Sequence, residues 1–186
     1  MKLLFTIAFL MLNALFLKVN AQGDDNSVSF RELYFIEKPN YSFAYPANWE
    51  ENLDKTLGVE FIVLSPLSFA ADKFRENINL VIQDLSKYDI DLDKYTELSV
   101  DQIKNMVTNS VLIESKRISK GGKNDDFQRV IYSGDQSVFK LKFEQYYFVV
   151  DKKAYVLTFT AEQSEFDKYK EGAEETMNSF IVQKNR

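Results

Sequence analysis

The chain has 186 residues with 23 Lys and Arg, 28 Asp and Glu, and neither Cys nor His. The lack of Cys excludes disulfides, thiolate chemistry and a lipid-modified N-terminal cysteine, and the lack of His excludes imidazole bases and His-ligated metals. The formal net charge of −5, without a basic stripe, argues against nucleic acid or an anionic membrane as partner.

Residues 1–21 have the pattern of a secretory signal peptide. Lys2 precedes an apolar run from Leu3 to Leu17, and a Val-Asn-Ala end suits cleavage before Gln22. A membrane anchor is the alternative, but the run is shorter than the ~20 residues that span a bilayer. The sequence therefore predicts a secreted or periplasmic protein without a lipobox cysteine.

The remaining chain is expected to form one domain over residues 30–186, after a flexible, polar lead-in at 22–29. Alternating or branched apolar patterns predict strands over 33–37, 41–45, 58–65, 77–85, 111–119, 127–133, 139–150 and 154–162. Turns are expected at Gly121-Gly122, at Gly134-Asp135 and at Asp151-Lys152-Lys153. Successive hairpins of this kind indicate a largely antiparallel sheet.

Two amphipathic helices interrupt and end this strand pattern. The first is predicted over 93–109, with Asp91 or Asp93 as its N-cap, and the second begins after Ser164 as its cap. The apolar stripe of the first helix is Tyr95, Leu98, Ile103, Met106 and Val107, and that of the second is Phe166, Tyr169, Ala173, Met177 and Phe180.

The strand over 139–150 indicates how the layers are arranged. Its first half alternates, with Lys140, Lys142 and Glu144 on the polar side, whereas residues 146–150 are apolar on both sides. A strand that is apolar on both faces must be covered on both. The sequence thus predicts an α+β fold, an α/β/α sandwich whose twisted, mostly antiparallel sheet has six to eight strands.

The run Tyr41-Ser42-Phe43-Ala44-Tyr45-Pro46-Ala47-Asn48-Trp49 resembles the opening strand of the PsbP-like superfamily. Gly58, the segment 79–82 before a long helix, and the terminal Met177-Asn178-Ser179-Phe180 agree with small bacterial secreted members. The resemblance implies the fold shared by PsbP of photosystem II and the Ran-binding Mog proteins. It also implies a role in binding or assembly, since characterised members are mostly not enzymes, although fold alone does not fix function.

Asp89, Asp91 and Asp93 have the alternating spacing of calcium ligands. An EF-hand would need Gly and Glu at the positions of Lys94 and Val100, so an EF-hand is rejected. A looser calcium site and a solvated loop with a helix cap are the two readings left open, and no metal or cofactor is assigned.

Aromatic side chains in predicted loops are the other candidate contacts. Phe69 and Phe74 flank a loop between two strands, and Tyr88 follows the next strand; an exposed aromatic loop there would suit a partner or ligand. Ser137 and Lys140 satisfy Ser-x-x-Lys, but they open a strand, where residues three apart face opposite ways.

The sequence therefore favours a secreted, non-enzymatic binding or assembly module for an unknown protein or envelope component, monomeric and without a cofactor. The alternatives are a small-molecule or calcium-binding module and, less favoured, a His-free hydrolase that uses Ser, Lys or carboxylates.

Overall fold

The structure is a computed structural model that describes residues 32–52, 58–68, 72–121 and 126–183. The sequence-predicted signal peptide (1–21) and lead-in (22–29) lie outside these residues. The elements in chain order are β1 (Leu33–Lys38), β2 (Tyr41–Pro46), β3 (Glu50–Asn52), β4 (Phe61–Leu64), β5 (Asn77–Asp84), α1 (Leu92–Met106), β6 (Thr108–Ile118), β7 (Phe127–Gln136), β8 (Phe139–Val150), β9 (Lys153–Glu162), α2 (Phe166–Ser179) and β10 (Ile181–Val182).

The main sheet has seven strands in the order β3-β4-β5-β9-β8-β7-β6, with every neighbouring pair antiparallel. In chain order, β3, β4 and β5 form the first part of this sheet, and α1 follows them. The predicted run of hairpins from β6 to β9 then forms the rest of the sheet. The β8–β9 hairpin closes at Asp151-Lys152, both with φ near +50 to +58°, as a right-twisted two-residue turn requires. The α+β class and the antiparallel sheet are thereby confirmed.

A second, three-stranded sheet in the order β1-β2-β10 lies on the same side of the main sheet as α2. Tyr41, Phe43 and Tyr45 of β2 point to one face, as the sequence predicts, and are buried. Phe43 stacks on Phe61 of β4 with ring centroids 4.0 Å apart. One cover of the sandwich is therefore a helix together with a small sheet.

Two apolar cores lie on opposite faces of the main sheet. On the α2 face, aromatic side chains of β2, β8, β9 and α2 pack together, with Trp49 against Tyr169 at a centroid distance of 6.4 Å. On the α1 face, Tyr95 and Ile103 pack on Tyr132 and Tyr147. In the described residues neither helix combines the length and the hydropathy that a bilayer crossing demands.

The helix starts differ from each other in their capping. Asp91 caps α1, accepting a hydrogen bond of 2.8 Å from the Lys94 amide. The prediction of Ser164 as the cap of α2 is wrong, because Glu165 occupies that position and makes no side-chain cap hydrogen bond. Met106, predicted on the apolar stripe of α1, is exposed, because the helix ends there and Val107 turns into the core instead.

Gly134 is not a turn residue, contrary to the sequence prediction. β7 continues through Gly134 and Asp135, and the hairpin to β8 turns at Ser137, whose φ is +56°. Gly134 is required for a different reason: an added Cβ would lie 2.3 Å from Val107 Cγ1, at the end of α1. The glycine lets the helix end approach the sheet.

Gly134→Ala is expected to lower the free energy of unfolding by about 1–3 kcal/mol, because the new methyl group overpacks a buried contact. Chemical denaturation of the single variant checks this. In the double variant Gly134→Ala/Val107→Ala, the loss should be smaller than the sum of the two single losses, since the clashing partner is removed. Additive losses would contradict the assigned contact.

Candidate functional site

The predicted aromatic loop contacts are only partly described. Phe69 lies outside the described residues. Phe74 is half-buried, with its ring 5.2 Å from that of Phe139, and Asp72 holds the loop by accepting from the Phe74 and Ser68 amides. Phe74 is thus a packing residue and not the exposed ring that its loop position suggested.

Tyr88 and the three aspartates line the approach to α1. Tyr88 is exposed in a turn that its amide closes on the Leu85 carbonyl, and Asp89 beside it is exposed. Asp91 is occupied as the N-cap, and Asp93 forms an ion pair with Arg117 of β6. Among the described residues, no group of three or more His, Cys, Asp or Glu side chains is placed to hold a metal ion.

Sequence reasoning missed a polar cluster where the segment that follows β4 meets the start of α2. Ser68 Oγ lies 2.8 Å from the Tyr169 hydroxyl and accepts from Lys168 Nζ at 3.3 Å. Lys168 also donates to Glu165 at 3.1 Å. Because Ser68 and Lys168 are 100 residues apart, no local motif could reveal the contact.

The protonation of this cluster limits its chemistry. Burial opposes the charge on Lys168, but the hydrogen bond to Glu165 and the neighbouring charges raise the pKa of Lys168 above its usual range. Burial disfavours the ionised phenol of Tyr169 and raises its pKa. A Lys that stays protonated cannot accept a proton from Ser68, so the Ser–Lys contact lacks a general base.

Glu76 is a buried carboxyl directly before β5, beside the same cluster. Ser65 Oγ donates to it at 3.2 Å, and both residues are buried. Burial, followed by the charges of Asp72 and Glu165, raises the pKa of Glu76 to about 7. A carboxyl with this pKa ionises near neutral pH. Ser65 and Glu76 are both buried, however, so they offer no exposed surface on which a substrate could reach the carboxyl.

A second missed cluster is ionic and lies between the sheet and α2. Arg129 of β7 contacts Glu144 of β8 at 2.8 Å, Glu174 of α2 at 3.0 Å and Glu114 of β6 at 3.5 Å. The Glu144 side chain is 0 % exposed, and burial raises its pKa despite the attraction of Arg129. This cluster links α2 to the sheet, and within the described part of the chain it is not a group of carboxylates placed to hold a metal ion.

Six of the exposed large apolar side chains lie in two consecutive runs, one on β6 and one on β1, each at the edge of a sheet. On β6 they are the consecutive residues Val111, Leu112 and Ile113, here called the β6 patch, with Val111 57 % and Ile113 53 % exposed. On β1 they are Leu33, Tyr34 and Phe35. The others among the described residues, Tyr88, Met106, Val138 and Ile181, lie elsewhere. Val111 and Leu112 pair with Ser133 and Tyr132 of β7 and so point to opposite faces of the sheet, and Ile113 lies in a register shift. The three side chains therefore flank the edge on both sides, and exposed apolar groups along an edge are typical of interaction surfaces.

The β6 edge also changes in charge along its length. The β6 patch is followed by Glu114, which faces Arg129, and then by exposed Lys116 and Arg117. β6 ends the seven-strand order, with β7 as its only neighbour among the described strands. An apolar half and a basic half thus lie along one open edge of an acidic protein.

Comparisons with known proteins identify the fold. No family model matches the chain, and no curated protein is significantly similar in sequence. Among solved structures, the cyanobacterial PsbP protein CyanoP from Synechocystis is 17% identical, with 87% of this chain and 98% of that one covered and a TM-score of 0.58.

Two other solved structures agree with this likeness. LpqN, described as involved in cell envelope biogenesis of Mycobacterium tuberculosis, is 13% identical over 82% of this chain and 91% of its own, with a TM-score of 0.63. PA94 of Pseudomonas aeruginosa, described as a protein of unknown function, is 14% identical over 83% and 99%, with a TM-score of 0.56. Identities this low establish the fold alone, and on that basis the chain has a PsbP-like fold.

Proposed function

We propose that this chain is a non-catalytic, envelope-associated binding domain that recognises a protein partner through the edge strand β6. The observation that carries the proposal is the β6 patch, three consecutive exposed apolar side chains at the open edge of the main sheet. Apolar area left in water at an edge favours association, because covering it releases the same free energy that drives core packing.

The state of the polar clusters supports a binding role over a catalytic one. Ser68 contacts a Lys whose pKa is raised, and Ser65 with Glu76 is buried. Arg129 is surrounded by carboxylates of the chain itself. The polar groups of these clusters thus contact one another within the fold, whereas the apolar side chains of the β6 patch are exposed to solvent.

An envelope location is supported by two independent observations. Residues 1–21 have the pattern of a cleaved signal peptide. LpqN, which shares the fold, is described by its role in cell envelope biogenesis. A secreted chain would present the β6 edge to envelope proteins.

Site-specific photocrosslinking in native cells tests the proposal. A photoreactive amino acid at Ile113 is expected to give one dominant crosslinked protein in the envelope fraction, and the same group at Glu171, exposed on α2, is expected to give none. Equal crosslinking at both positions, or none at Ile113, would contradict binding through β6. Turnover of hydrolase substrates that a single Ser, Lys or carboxylate variant abolishes would contradict the non-catalytic assignment.

A further inference from the structure

We propose that β6 binds its partner by strand addition, so that an extended, acidic segment of the partner pairs with the open edge of β6 as an eighth strand. This inference rests on the proposed function, since it assigns the binding mode and the chemistry of the partner at the same surface.

The backbone register decides which part of β6 can accept a strand. Pairing with β7 is shifted between Thr108 and Val111 and again between Leu112 and Glu114, but it is continuous from Glu114 to Ile118. Bulges distort the spacing of the outward N–H and C=O groups, and regular strands keep it. The segment Glu114–Ile118 is therefore the part that presents a regular row of backbone groups, while the β6 patch offers side chains.

The charge of that segment selects the partner. Lys116 is exposed and takes part in none of the ion pairs among the described residues, and Arg117 beside it pairs only with the largely exposed Asp93 in that set. Carboxylates on an added strand would lie close to both cations and be attracted to them. Two copies of β6 paired antiparallel over the regular segment Glu114–Ile118 would set one Lys116 against the other, which disfavours a second copy of this chain as the occupant.

The direction of the strand fixes the order of residues in the partner. β6 runs from its apolar half to its basic half, and every strand pair in the main sheet is antiparallel. An antiparallel segment therefore carries its acidic residues first and its apolar residues second, from N to C terminus. The reversed order would set carboxylates against the β6 patch.

Peptides of fixed composition test this inference on the purified protein. We expect a fluorescent peptide of sequence DDSTVTV to bind by anisotropy, and the reversed VTVTSDD and the basic KKSTVTV to bind more weakly. Lys116→Glu is expected to weaken binding of DDSTVTV about five-fold. Lys140→Glu, which changes an exposed lysine of β8, is the matched control and should leave binding unchanged.

Amide hydrogen exchange separates strand pairing from charge attraction, because attraction between side chains alone would not slow the exchange of backbone amides. Bound DDSTVTV is expected to slow exchange in Glu114–Ile118 and to leave β1 unaffected. Strand addition is wrong if DDSTVTV does not bind, if the reversed peptide binds equally well, or if protection appears on β1. If Ile113 crosslinks a partner while these peptide results are negative, β6 is a binding surface but the strand mode is overturned.

Discussion

Arg129→Met is expected to lower the free energy of unfolding by about 3–5 kcal/mol, because it leaves the Glu144 carboxylate buried without its cation. Glu144 has no exposed side-chain surface, and Arg129 contacts it at 2.8 Å. Of the remaining charged neighbours, Glu174 repels the Glu144 carboxylate, and the attraction of Lys170 offsets only part of the lost cation because Lys170 is itself paired with Glu174. Urea denaturation at pH 7 measures the loss.

Two variants separate this effect from general damage. Arg129→Met/Glu144→Leu removes both charges and is expected to recover most of the lost stability, since a buried ion pair contributes little net free energy compared with apolar side chains of similar size. Arg117→Met breaks the exposed pair with Asp93 and should cost no more than about 1 kcal/mol. A double variant less stable than Arg129→Met would refute a charge effect.

Glu76→Gln is expected to remove a loss of stability that occurs as the pH rises. The pKa of Glu76 is about 7 in the folded protein against an ordinary value of 4.5. Between these values the unfolded chain has released the proton that the folded chain still holds, so stability falls with increasing pH and levels off above pH 7. The full difference is on the order of 3 kcal/mol.

The glutamine variant keeps an oxygen that accepts from Ser65 but carries no charge. We expect it to match the parent protein near pH 4.5 and to be more stable at pH 8 by about 1–3 kcal/mol. Thermal unfolding across pH 4.5–8 measures both. Glu97→Gln, on the exposed face of α1, is the control that should keep the parent's slope. Parallel curves for Glu76→Gln and the parent would disprove the buried proton site.

Local patterns were sufficient for the framework of this fold. The stripe of α2 predicted the buried residues from Phe166 to Phe180, and the alternation in β2 predicted its inward face. Such patterns report which side of an element is apolar, and burial then fixes its orientation. The PsbP-like resemblance rests on the same core positions.

Local sequence patterns do not contain the register between neighbouring strands. Glu144 follows Lys140 and Lys142 in alternation and therefore looks solvated, yet it is buried on the face that α2 covers, where Arg129 lies diagonally across on β7 and pairs with it. The Ser68–Lys168 contact and the pairing of β10 with β2 likewise join distant segments. The identity of β6 as an edge depends on β5 pairing with β9, which no turn signal indicates.

The small sheet has a consequence for the order in which the chain folds. β10 pairs with β2, and Ser179 at the end of α2 accepts from the Ala44 amide across 135 residues of sequence. The α2-side core therefore closes only after segments about 135 residues apart in sequence have met. Because such long-range contacts carry a large loop-closure cost, the small sheet and α2 are expected to dock after the local hairpins from β6 to β9 have formed.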